Sequence, residues 1–242
     1  MEILPALIEY HMHTLECMAR EVFLRRPRMV FAPPIDLEFL IENEGDLTLA
    51  TKSGLVVRYK VEGCVLKEEG TRELHVWIDH NIYLSGWANY NAVLAEEFAH
   101  IHLHKSLLLK VRTVEDFIAL QNHPEWERYE RDAKRFGRML RMPAELFIGE
   151  AESIYRRLVN EHGFGDPLSI CKLLRNALAF KFESSPIDAQ TRMTDAACNI
   201  EKRALASVQA GELELLPERF ALSARHERQP GLFRNESQVE RP

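Results

Sequence analysis

The chain has 242 residues, 46% hydrophobic and 28% charged, with a formal net charge of −6. That length holds one large domain or two small ones around a real core. The acidic balance excludes nucleic-acid binding by bulk electrostatics, and no run approaches the roughly 18 consecutive apolar residues of a membrane span.

Read in chain order, the opening MEILPALIEYHMH has no basic leader and no long apolar run, so no signal peptide is expected. A helix is predicted from Leu7 to Phe23, closing before Pro27. His11 and His13 flank Met12 within it and read as surface residues. Pro33-Pro34 opens a short helix, Asp36 to Glu42, which Gly45 ends. Three strands follow, Leu55 to Tyr59, Val61 to Leu66 and Glu73 to Ile78, punctuated by Gly54, Gly63 and Gly70. In the last, Leu74, Val76 and Ile78 share one face, and His75, Trp77 and Asp79 share the other. After Gly86 the pattern is helical: Asn89 to Leu108, Val114 to Gln121, Pro124 to Leu140, Ala144 to Glu161, Leu168 to Phe182 and Ile187 to Ala206. Pro143, the Gly163-Phe164-Gly165 turn and Ser184-Ser185-Pro186 supply breaks.

Strands followed by a run of helices predict an α+β fold, with a small antiparallel sheet and a mostly helical C-terminal half. Residues 1–143 are read as the domain that carries the site, 144–216 as a helical subdomain and 217–242 as a loosely ordered tail. Cys17, Cys64, Cys171 and Cys198 are scattered, and all four read as free, buried thiols, which suits a reducing compartment such as the cytoplasm.

The informative run is Ala95-Glu96-Glu97-Phe98-Ala99-His100-Ile101-His102-Leu103-His104. At about 100° per residue, Glu96, His100 and His104 share one arc of about 80°, with Glu97 just beyond it. The rest of the helix is apolar, as in a buried helix. Burying these groups without partners costs several kcal/mol, and a bound cation compensates. Zincins place two metal ligands one turn apart, with a glutamate directly after the first. Here Glu96 and His100 have that spacing and Glu97 stands where the proton acceptor belongs. The motif is thus EExxH rather than HExxH. Ordinary ion pairs on a helix face are the alternative. On the helix from Pro124 to Leu140, Trp126, Tyr129, Ala133, Phe136, Gly137 and Leu140 form an apolar stripe, with Glu130 at its rim. A carboxylate there can reach a metal held by another helix, or form a salt bridge at the core edge. Arg128, Arg131, Arg135, Arg138 and Arg141 form a basic face, read as solvated or as a docking surface for an acidic partner or nucleic acid. His102 lies opposite the metal arc and reads as structural. His75 and His80 stand near a strand end, close enough in sequence order to approach the cleft.

LAEEFAHIHLH followed by ERDAKRFGRMLRMP resembles the ImmA/IrrE family of metallopeptidases, with its AHExGHxxLH-like helix and, about thirty residues on, its ExEAxxFAxxLLMP-like helix. PPIDLEFLIENEGDLTL, LHVWIDHN and LAFKFESSPIDAQTRM resemble other parts of that family, over roughly 33–199. The resemblance implies a zincin-like domain and a Zn²⁺ site. It implies His100 and Glu130 as ligands, Glu96 as an oxygen ligand in place of histidine, and Glu97 as the catalytic glutamate. His104 matches a later family histidine with a supporting or substrate-facing role. The oxygen-rich ligand set makes Mn²⁺ the alternative ion. The implied partner is a protein substrate such as a helix-turn-helix transcriptional regulator. The segment Leu74 to Asp79 is the candidate strand for extended substrate, with an ordinary core strand as the equal alternative.

Two further readings stand beside the peptidase. A pseudo-peptidase keeps the fold and serves as a regulatory or sensor module. A DNA-binding regulator uses 168–199, where Ser184-Ser185-Pro186 separates two helices, but no dense basic recognition helix supports direct nucleic-acid contact.

Overall fold

Pro27 and the Pro33-Pro34 pair interrupt the first helical pattern, and the structure follows them. It is a computed structural model describing residues 10–67, 69–70 and 73–217. Helix α1 spans Met12–Leu24 and a short α2 spans Leu37–Glu42. Asp36 caps α2 by accepting from the Phe39 N–H. The expected helix start at Leu7 and the expected tail beyond residue 217 lie outside the described residues.

The sheet has three strands, β1 (Leu47–Lys52), β2 (Gly63–Lys67) and β3 (Leu74–Asp79), in the order β1-β3-β2. It is mixed, which corrects the antiparallel expectation: β1 runs parallel to β3, in register from Leu47↔Leu74 to Lys52↔Asp79, and β2 runs antiparallel to β3. The small and polar residues of LTLATK hide β1 from a reading based on β propensity; its pairing with β3 supplies what its composition lacks. Leu55–Tyr59, expected as a strand, is helix α3. Asp79, at the end of β3, accepts from the Val56 N–H at 3.0 Å and from the Asn81 N–H at 2.8 Å. One carboxylate therefore caps both α3 and the short α4 (His80–Leu84), and a tertiary cap overrides the β-branched composition.

Helix α5 (Trp87–Leu108) crosses the sheet and packs chiefly on α7 (Trp126–Arg141), with α6 (Val114–Gln121) between them in sequence. Thr113 and Asp116 close a reciprocal capping box at the start of α6. The β3 face of Leu74, Val76 and Ile78 is fully buried in one core with Leu94, Phe98 and Phe136. Each such side chain contributes roughly 1.5–3 kcal/mol of transfer free energy. A second core joins Cys64 and Leu66 of β2 to Phe117, Trp126 and Tyr129.

The C-terminal half is helical, as expected: α8 (Ala144–His162), α9 (Pro167–Lys181), α10 (Pro186–Thr194) and α11 (Ile200–Ala210), around a core of their own. The single helix expected from Ile187 to Ala206 is split. Asp195 turns extended and Asn199 adopts a left-handed φ of 48°, which a continuous helix excludes. The basic face of α7 is also corrected in part. Arg138 and Arg141 pair with Asp188 of α10 at 3.3 and 3.0 Å, and Arg141 is buried. No helix among the described residues is long and apolar enough to cross a membrane.

Candidate metal centre

Helix packing brings two of the sequence motifs to one place. A Cβ built on Gly137 of α7 comes within 3.0 Å of the Ala95 carbonyl carbon and oxygen and 3.2 Å of the Glu96 nitrogen. A side chain there would be crowded against backbone, so glycine eases this close approach of the two helices. Glu130, two turns earlier on α7, therefore faces Glu96 and His100 of α5. Ligand atoms of Glu96, His100 and Glu130 all lie within 4.8 Å of one another. The His100 Nε2 to Glu130 Oε1 distance is 3.4 Å. A tetrahedral ion with bonds of about 2.0–2.1 Å sets its donor atoms about 3.4 Å apart, so this pair fits one.

The rings are held from behind. His100 stacks on Trp126 at 5.2 Å between centroids and 7° between planes, and His104 meets Tyr129 edge-on at 4.7 Å. Helical geometry breaks at His104 (φ −128°, ψ 22°). Its Nδ1 lies 3.0 Å from Nδ1 of His100, with both rings buried. Burial and the neighbouring His100 push the His104 imidazole down to about 3, so it is neutral.

The carboxylates divide by environment. Burial, then a hydrogen bond and charge repulsion from Glu130, push Glu96 up to about 8. Burial works on Glu130 too, but His100, Glu96 and Lys134 outweigh it and hold that carboxyl well below the usual range. The two carboxyls titrate as a pair, and the pair gives up its last proton less readily than two separated carboxyls would. Lys134, one turn after Glu130, places its Nζ 3.0 Å from Glu130 and 3.5 Å from Glu96.

Glu97 sits beside the cluster without joining it. It is 6% exposed, and its Oε2 has no hydrogen-bond partner among the described residues. It lies against β2, where a Cβ on Gly63 falls 3.0 Å from its Oε1. Burial and then the charges of Glu96 and Glu130 raise its carboxyl well above the ordinary value. An orphaned buried carboxylate oxygen next to an acidic pair is costly unless a cation or a proton accompanies it.

The other sequence candidates fall elsewhere. His102 packs edge-on to Phe98 and lies 3.8 Å from Glu44, a structural setting as expected. His75 meets Thr48 at 3.2 Å, and His80 is exposed and stacks on Tyr83. Neither belongs to the cluster. The expected substrate strand is also displaced. β3 is central, with β1 and β2 on its two sides, and has no free edge. β2 is the edge beside α5. Because Glu62 accepts from the Asp79 N–H, Gly63 and Val65 direct their backbone groups away from β3. Sequence reasoning missed Lys134. Its spacing from Glu130 was visible, but its reach to Glu96 depends on how α5 and α7 dock. A cavity of about 780 Å³ lies between α1 and Pro143–Glu145, and none of Glu96, Glu97, His100 or Glu130 lines it.

No family model, curated protein or solved structure matches the chain. The likeness to ImmA/IrrE therefore rests on the two motif helices and the flanking segments quoted above.

Proposed function

We propose that the chain is a metal-dependent endopeptidase with a zincin-like fold, acting on a regulatory protein such as a helix-turn-helix repressor. The observation that carries this reading is the meeting of Glu96, His100 and Glu130 from two helices, with the buried, unpartnered carboxylate of Glu97 next to them. Glu96, His100 and Glu130 would hold a divalent ion, Zn²⁺ or the harder Mn²⁺, which supplies Lewis acidity toward a peptide carbonyl and a nearby water.

The chain's own residues do the rest. Positive charge in the cluster favours the ionised form of Glu97, reversing the effect of its acidic neighbours. Glu97 takes a proton as water oxygen bonds to the scissile carbon. It then returns that proton to the amine as the C–N bond breaks. β2, whose Gly63 and Val65 backbone groups point away from β3, is the edge strand on which extended substrate would pair by backbone hydrogen bonds. Gly63 keeps that edge close to Glu97.

Glu97→Gln tests the reading. It keeps side-chain size and cannot accept the proton, so metal content stays and cleavage falls by about 10²–10⁴. The protein is expressed beside candidate repressors from the same genome, and fragments are read by mass spectrometry. Equal fragment yield from the variant sinks the mechanism. One observation favours a second reading, a regulatory pseudo-peptidase: Lys134 already supplies a positive charge to the two carboxylates. A bound metal with no cleavage by either form, and a phenotype that persists in Glu97→Gln, replaces the first reading with this one.

A further inference from the structure

We infer that Lys134 is a built-in cation that holds the place of the metal ion, withdraws when the ion binds, and so sets the affinity of the centre. The inference rests on the metal-centre reading and adds a residue that the motif comparison does not assign.

Three features carry it. The Nζ of Lys134 lies 3.0 Å from Glu130 Oε2 and 3.5 Å from Glu96 Oε1, so one ammonium bridges two of the three ligands. Those carboxylates are largely buried, at 21% and 23% exposed, and without a cation they repel each other. The Lys134 side chain itself is 56% exposed. It reaches the cluster from solvent on a flexible stem and can swing back without opening any core.

Nearby arginines do not take this role. Arg135 pairs with Asp132, and Arg138 and Arg141 with Asp188. A divalent ion between Glu96, His100 and Glu130 takes over the same oxygens. It also repels an ammonium left a few ångströms away. Ion entry and Lys134 departure are therefore one exchange, and the centre loads only where free metal is high enough to drive it. The empty cluster stays neutralised in the meantime, because the folded chain carries its own counter-charge.

The test uses the full-length protein, stripped of metal, as wild type, Lys134→Met and Lys134→Arg. Met keeps the stem and helix propensity and removes the charge; Arg keeps the charge. Each is titrated with Zn²⁺ and with Mn²⁺ against a competing chelator, and thermal unfolding is followed with and without metal. The expected result is metal binding about three- to tenfold tighter in Lys134→Met, with Lys134→Arg near wild type. The melting temperature of metal-free Lys134→Met is lower than wild type, and metal raises it further than it raises wild type. Unchanged or weaker binding by Lys134→Met, while wild type binds metal, overturns the role of Lys134 alone. No binding by any of the three overturns this role and the metal centre together.

Discussion

His104 and His100 face each other through Nδ1 at 3.0 Å, and two acceptors or two donors cannot share that distance. The Nε2 of His100 lies 3.4 Å from Glu130 Oε1. On the metal-centre reading it would give its lone pair to the ion, and the proton would then lie on Nδ1 of His100, which would donate to Nδ1 of His104. That reading makes His104 a positioning residue that fixes the tautomer of His100. His104→Phe keeps a ring against Tyr129 but removes the acceptor. Metal affinity is expected to fall about 10–100-fold, and His104→Gln, which retains an acceptor, to recover part of it. Chelator competition reads the affinity, and imidazole ¹⁵N shifts read the His100 tautomer. Unchanged affinity and tautomer in His104→Phe contradict the assignment. At this scale, helical spacing made the shared arc of Glu96 and His100 and the rim position of Glu130 legible, while their meeting depends on how α5 and α7 dock. The partner of His104 was not legible, because a local break in α5 lets the two rings turn toward each other. Nor was the direction of Glu97, which depends on Gly63 of β2.

At the scale of elements, the contact between α5 and α7 decides whether a centre exists. Gly137 sits in the apolar stripe that the sequence displays, yet the stripe does not say that the backbone of Ala95 and Glu96 lies against it. An added methyl meets backbone atoms, which cannot rotate away as a side chain can. Gly137→Ala is therefore expected to destabilise the fold by about 1–3 kcal/mol, less a gain of roughly 0.5–1 kcal/mol in helix propensity. It is also expected to weaken metal binding, because it pushes Glu130 away from Glu96 and His100. Urea unfolding and metal titration on one preparation check both effects. A variant as stable as wild type, with undiminished affinity, shows that the close approach does not matter. The elements that sequence patterning missed share one cause, a partner distant in the chain. α3 forms under a cap from Asp79, and β1 forms against β3 across a parallel crossover. The long helices α5 to α9 were legible because each carries its own period, caps and breaks.

For the whole molecule, α8 to α11 follow Pro143 and gather around a core of their own. Charged contacts join them to α1 and α7. Arg192 is fully buried, donates to the Met142 carbonyl and pairs with Glu16 of α1 and Asp195, while Asp188 receives Arg138 and Arg141 from α7. The helix-turn-helix-like segment thus turns Asp188 and Arg192 inward, which leaves them unavailable to read bases from α10. Sequence composition had shown arginines on a helix face, but not which of them face another helix. The candidate metal centre lies on the α5–α7 side of this arrangement, and the proposed peptidase reading stands or falls with it. The most direct measurement is elemental analysis of the full-length protein after gentle purification, beside a His100→Ala, Glu130→Ala double variant. About one divalent ion per chain in the native protein, lost in the double variant, is the expected result; a native protein that neither carries nor takes up a divalent ion, or a double variant that retains as much, contradicts it.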